Sequence, residues 1–113
     1  MSTEDRIAYE VTDRVAVIAM RRAPVNAIDH PMIDAIHAAL LKANADPAVR
    51  AVILTSALPG MFSGGMDLRM VAEGDAQDLR AFVTKFYIGT MDIQYVMTKP
   101  TIAAINGPAR GRA

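Results

Sequence analysis

Three observations on this sequence predict an α/β fold. Two short runs rich in valine and isoleucine, "RIAYEVTD" and "RVAVIAMR", follow one another early in the chain. Two continuous apolar runs, "AVILTS" and "TIAAIN", have the pattern of buried parallel strands. Between these runs lie stretches whose apolar residues recur at helical spacing. The order is therefore β, β, α, β, α, β, with right-handed crossovers expected.

The first two strands read as a hairpin, with Thr12 and Asp13 as its turn. "RAPVNAI" is a loop containing Pro24 and Asn26. Asp29 or His30 caps the helix that follows, and Pro31 is tolerated in its first turn. Ile33, Ile36, Leu40 and Ala43 give that helix one apolar face, and "ADPAVR" ends it. After "AVILTS" comes the loop "PGMFSGGMDL". A second helical pattern begins near Asp75, with Leu79, Phe82, Phe86, Ile93 and Met97 on its face, and Pro100 ends it. Gly89 inside this pattern costs up to ~1 kcal/mol relative to alanine and marks a place for a kink. "TIAAIN" is then a last buried strand, and "GPARGRA" a loop that leaves it. No repeat, linker or low-complexity segment divides the chain. Residues 1–113 read as one partial domain, because a parallel strand in the last position normally feeds another helix.

Composition removes several function classes. The 113 residues are 52% hydrophobic, which fits a chain with a core and argues against disorder. Formal net charge is zero and no run of lysine or arginine stands out, so neither nucleic acid nor an anionic membrane is the expected partner. There is no cysteine, hence no disulfide, thiolate metal site or cysteine nucleophile. "MSTEDRIAYE" is polar and acidic, unlike a signal peptide, and no apolar run is long enough to span a bilayer. A soluble cytoplasmic protein is expected. His30 and His37 have no partners at ligand spacing, so no metal site is expected. Ser63 lacks a histidine or lysine pattern for a nucleophile. Asp67 is expected to hold its loop by accepting from backbone N–H groups, and Glu73 and Asp92 to be solvated.

The chemistry concentrates in two glycine loops that leave the carboxyl ends of parallel strands, the edge at which open α/β sheets bind ligands. Gly64, Gly65, Gly107 and Gly111 admit three readings. They make tight turns only, they cradle a phosphate, or they let backbone N–H groups approach a carbonyl oxygen that becomes negative during a reaction. Neither loop matches G-x-G-x-x-G or G-x-x-x-x-G-K-[ST], which disfavours the phosphate reading.

The blocks "RVAVIAMRRAPVNAI", "DPAVRAVILTS", "FSGGMDL" and "KPTIAAINGPARG", in this order, closely resemble the amino-terminal part of the enoyl-CoA hydratase/isomerase (crotonase) family. The resemblance runs from Arg14 to Gly111 and implies a crotonase-like spiral of ββα units, of which this chain carries the amino-terminal portion. It also implies acyl-CoA as the partner, with CoA as part of the substrate and no separate cofactor. The shared chemistry is stabilisation of a thioester enolate by two backbone N–H groups. By position the first is the N–H of Met66, whose side chain then lines the acyl pocket. The second falls at Arg112, where relatives carry glycine or small residues. The matching CoA positions are Ala23, Val25, Ala27, Gly64, Gly65, Met66 and Arg69, with Arg69 facing a phosphate and Val25 and Ala27 flanking the adenine. Full-length members form homotrimers or hexamers. The hydratases' two catalytic glutamates fall beyond the second glycine loop, so the chain is expected to be truncated and inactive alone. The alternatives are a non-catalytic CoA-binding module and a doubly wound nucleotide-binding domain.

Overall fold

The computed structural model describes residues 6–109. Strand β1 (Ile7–Thr12) pairs antiparallel with β2 (Val15–Met20), Thr12 opposite Val15. The turn residues are Asp13 and Arg14, one position later than expected, with φ of 51° and 68°. A two-residue hairpin needs such a left-handed pair to match the twist of its strands, and Thr12 is thereby left as the last strand residue. Along β2 the burial alternates. Ala16, Ile18 and Met20 are shut off from water, and the residues between them are half-buried.

Helix α1 (His30–Ala45) connects β2 to β3 (Ala51–Ser56), which lies parallel to β2 from Val15↔Ala51 to Met20↔Ser56. Asp29 is its N-cap, its Oδ1 accepting from the N–H of Met32 at 3.0 Å, and Pro31 sits in the first turn where no N–H is needed. Ile33, Ile36, Leu40 and Ala43 are all buried, joined by Met32, Ala35 and Ala39. This face and the inner face of β2 form the core with Val52 and Phe82. At the other end Lys99 Nζ donates to the carbonyls of Ala43 and Asp46, placing a cation at the negative end of α1.

Beyond β3 come α2 (Leu68–Glu73), α3 (Ala76–Val83), a π-helical segment (Thr84–Gly89) and α4 (Thr90–Val96). Helix α3 starts at Asp75 as expected, and Asp75 and Asp78 form a reciprocal capping box. Gly89, the expected kink, closes the π-helical segment. The apolar face is the expected one: Phe82 is buried and Leu79, Phe86, Ile93 and Met97 are half-buried. Helix α2 was expected only as a helix-like stretch with solvated Arg69 and Glu73, not as a separate element in the order. It buries no residue, so it carries no apolar period to read.

Strand β4 (Thr101–Ala103) lies parallel to β3, completing the sheet order β1-β2-β3-β4. It corrects the expected six-residue buried strand: only three residues pair, and Ile102 is 54% exposed. The reason is position. Among the described residues β4 has a neighbour on one side only and no helix across its outer face. "AVILTS" is parallel as expected, yet only Val52 in it is fully buried. No helix among the described residues is long and apolar enough to cross a membrane.

Candidate functional site

The carboxyl ends of the parallel strands β2, β3 and β4 lie at one edge of the sheet, and the three loops that leave them meet there. Asn26 organises the first loop. It is completely buried and has φ of 52°, a conformation that asparagine tolerates better than most side chains. Its N–H donates to the carbonyl of Arg22 and its Oδ1 accepts from the N–H of Arg22, both at 2.7 Å. Its Nδ2 donates to Ser56 Oγ and to the carbonyl of Phe62, both at 2.8 Å. Its carbonyl accepts from Ser63 Oγ at 3.0 Å. A buried amide with every group satisfied fixes its neighbours. Here it ties the loop after β2 to the loop after β3.

The second loop continues that attachment through its backbone. The N–H of Gly64 donates to the carbonyl of Val25 at 2.7 Å, that of Ile28 to Gly65 at 2.8 Å, and that of Asp67 to Ile28 at 2.9 Å. Ile28 and Met66 thus form a parallel bridge in which Ile28 bonds to the residues on either side of Met66. Met66 must then turn its own N–H away from Ile28. Among the described residues this N–H has no hydrogen-bond partner. The preceding Gly65 has φ of 89°, and its N–H donates to Ser63 Oγ at 3.0 Å. That left-handed backbone is strained for any side chain, which accounts for the glycine at 65.

The third loop is pressed onto the second. Phe62 and Ser63 both donate their N–H to the carbonyl of Pro108, at 3.1 and 3.2 Å, and Asn106 Nδ2 donates to the carbonyl of Leu58 at 2.9 Å. A Cβ on Gly107 would stand 2.3 Å from the carbonyl oxygen of Gly60, inside any permitted contact. The second glycine loop is therefore glycine for close approach of backbone to backbone.

These loops border an apolar cavity of about 400 Å³ between the sheet, α1 and the π-helical segment. Met20, Ile36, Leu54, Phe62, Met66 and Phe86 form much of its wall, and its polar lining comes from Ser63, Thr90, Gln94 and Thr101. No carboxylate or imidazole lines it among the described residues.

The charged groups lie to one side. Arg22 Nη1 reaches Asp67 Oδ2 at 2.9 Å, Asp29 Oδ2 at 3.3 Å and the carbonyl of Ala27 at 2.9 Å. Arg6 adds a second cation on Asp29 at 3.2 Å. Asp67 also caps α2, its Oδ1 accepting from the N–H groups of Arg69 and Met70. One guanidinium thus clamps the capping carboxylates of two helices. Burial pushes the Asp67 carboxyl up, but the Arg22 hydrogen bond and the two backbone N–H groups outweigh it, so it stays below the ordinary aspartate value. These contacts hold the glycine loop and cap α2, in line with its place after the glycines. The two histidines serve packing between helices. His37 Nε2 lies 2.8 Å from Thr90 Oγ1, and the His30 ring stands edge-on to Phe82 at 5.1 Å. Among the described residues no three metal-ligating side chains gather.

Of the residues singled out from sequence, Val25, Ala27, Gly64, Gly65 and Met66 come together here. Ala23 is exposed on the same loop, and Arg69 is exposed in the first turn of α2. Arg112 lies outside the described residues. Sequence reasoning missed Arg22 and Asn26 as the fastening between loops. The one signal was an asparagine two residues after Pro24, a type suited to positive φ.

Comparison with known proteins agrees with this architecture. Residues 10–112 match the family model of the enoyl-CoA hydratase/isomerase family. A carnitinyl-CoA dehydratase of Salmonella enteritidis is 38% identical over 94 residues, covering 83% of this chain and 35% of the dehydratase. The enoyl-CoA hydratase of Bacillus anthracis superposes with a TM-score of 0.81 at 28% identity, over 90% of this chain and 40% of that one. Human mitochondrial delta3-delta2-enoyl-CoA isomerase gives 0.73 at 28% identity, again over 90% and 40%. The chain spans about a third of the length of the curated relatives it matches. Its strands, its glycine loops and this match place it in one group: the chain belongs to the enoyl-CoA hydratase/isomerase family, with a crotonase-type α/β fold.

Proposed function

We propose that this chain carries the first half of an acyl-CoA thioester site, in which the N–H of Met66 donates to the thioester carbonyl. One observation carries the reading: a backbone N–H with no partner among the described residues sits on a rigidly held loop beside an apolar cavity. The acyl group enters the cavity, in contact with the Met66 side chain. The CoA portion follows Ala23, Val25, Ala27 and Gly64, with Arg69 toward a phosphate and Gly65 supplying the turn. As an α-proton leaves, negative charge moves onto the carbonyl oxygen. A donor already aimed at that oxygen lowers the barrier without reorganising, an effect worth ~3–4 kcal/mol in comparable sites. The second donor belongs at the position of Arg112.

Proton transfer needs a positioned acid or base, and the cavity wall supplies none among the described residues. Asp67 is held by Arg22 and two N–H groups. We therefore assign the 113-residue chain by itself binding without measurable hydration of crotonyl-CoA, and hydratase or isomerase chemistry to a protein that also supplies carboxylates.

The test is an amide spectrum of ¹⁵N-labelled protein titrated with crotonyl-CoA and, separately, with free CoA. The Met66 amide should shift downfield with the thioester and stay near its starting position with CoA. A Met66 amide indifferent to both ligands would remove the donor assignment. Calorimetry with ATP as control checks the CoA part: equal heats for ATP and CoA count against it.

A further inference from the structure

We infer that Asn26 is the positioning residue for the Met66 N–H donor, an inference that rests on the function proposed above. Among the described residues Met66 makes no hydrogen bond of its own through that N–H, so its direction is imposed by its neighbours. The neighbour before it, Gly65, traces back to Asn26. Upstream, the Asn26 carbonyl accepts from Ser63 Oγ, and the same Oγ accepts from the N–H of Gly65 at 3.0 Å. Gly65 is the residue whose carbonyl bonds to Ile28 and whose φ of 89° sets the direction of the next peptide. The Asn26 amide meanwhile holds the carbonyl of Phe62 and Ser56 Oγ, fixing the start of the glycine loop to the end of β3.

The conformation of Asn26 matters to this relay. At φ of 52° its carbonyl accepts from Ser63 while its side chain reaches Phe62 on the same loop. Arg22 is drawn in through its backbone, so the loop with the CoA-facing positions and the donor loop move as one unit. Asn26 touches no substrate atom in this scheme. Its carbonyl acts through Ser63 and Gly65 and its amide through Phe62 and Ser56, and loss of the amide should disorder the donor before it disturbs the sheet.

Asn26→Gly separates the side chain from the backbone, because glycine keeps the positive φ and the carbonyl bonded to Ser63 and deletes only the amide that holds Phe62, Ser56 and the N–H of Arg22. Two quantities are measured on it and on the parent protein. The first is the order of the Met66 N–H without ligand, from ¹⁵N relaxation. The second is the ratio of affinities for crotonyl-CoA and a thioether analogue whose carbonyl is a methylene. In the parent, Met66 should be rigid, with an order parameter of about 0.85, and in the variant it should fall below about 0.6. The carbonyl-dependent ratio should be roughly three- to tenfold in the parent, the effect of one hydrogen bond, and close to one in the variant. A Met66 amide equally rigid in both proteins overturns the positioning role, whatever the ligands do. A parent ratio of one overturns the donor reading, while the relaxation result still decides for or against Asn26. Ser63→Ala cuts the relay at its middle without touching Asn26. It carries the same two measurements if Asn26→Gly does not fold.

Discussion

The segment from β2 to β3 and the segment from the π-helical turn to β4 are both rich in apolar residues, but they dispose of them differently. In the first, Ala16, Ile18, Met20, Met32, Leu40 and Ala43 are each at most 2% exposed. In the second, Tyr95 is 90% exposed, Met91 66% and Ile102 54%. The first segment closes on itself: a strand, a helix across one face and a parallel strand bury one another's apolar sides. The second turns one stripe, Phe86, Ile93 and Met97, toward that core and leaves its other apolar side chains in water. Periodicity reports that a helix has a wet and a dry side. It does not report whether the wet side is dry in some larger arrangement, and apolar groups gathered on one exposed surface are the usual mark of a missing contact.

The sharpest way to break the comparison is to delete matched amounts of apolar surface on each side of it. Met32→Ala opens a cavity under α1 and should cost ~2–5 kcal/mol in urea unfolding. The same measurement on Tyr95→Ser should stay within about 0.5 kcal/mol of the parent. If Tyr95→Ser proved as damaging as Met32→Ala, the two segments would not differ in the way described.

Where the two segments are fastened, an intermediate effect is expected. Gly107→Ala drives a Cβ into the Gly60 carbonyl, so the loop after β4 must lift from the loop after β3. Overpacking of this kind costs ~1–3 kcal/mol. Amide shifts should concentrate at Phe62 and Ser63, whose N–H groups bond to Pro108, while those of α1 hold still.

Acidification acts on the same boundary more gently. Burial depresses His37, with Asp34 opposing and Lys85 assisting the shift. A lowered base is neutral in the fold while the unfolded chain still takes up protons. Stability should therefore fall as pH drops through the ordinary histidine value of 6.5 and level off below the folded value. His37→Gln should flatten thermal melts recorded between pH 7 and 5. Asp67 titrates lower still. Its depressed carboxyl contributes stability that is present above the unfolded value of 3.8 and lost as pH falls through the folded one. Asp67→Asn should remove that acid limb.

The smallest expected change in stability comes with a visible change in association. Tyr95→Ser and Met91→Gln trim the exposed surface of α4 and should lower concentration-dependent self-association in sedimentation velocity. An unchanged distribution would show that this surface is inert.

How much of this was legible beforehand follows from the range of each interaction. Strands β1 to β3, α1 with its Asp29 cap and the start of α3 at Asp75 depend on neighbours a few residues apart, and the sequence carries those spacings openly. The hairpin turn fell one residue late, because arginine at φ of 68° is an unusual choice that no composition rule favours. Helix α2 is built on the Asp67 cap alone, without a buried face to announce it. Of the site, the glycine loops were legible as places of close approach. The Arg22–Asp67 pair joins residues 45 apart and Asn26–Phe62 residues 36 apart, and no local pattern encodes either. The exposure of β4 was hidden for the same reason, since burial of a strand is set by what lies beside it.

The joint between the two glycine loops also has a meaning in time. Asn106 donates to a carbonyl 48 residues earlier in the chain, and it can do so only once it has been synthesised. At ribosomal speeds of 5–20 residues per second, the first loop waits roughly two to ten seconds for its partner. During that wait β2, α1 and β3 have what they need to assemble, while the N–H groups of Phe62 and Ser63 have only water to bond to. The joint between the glycine loops is thus closed by residues made well after β2, α1 and β3.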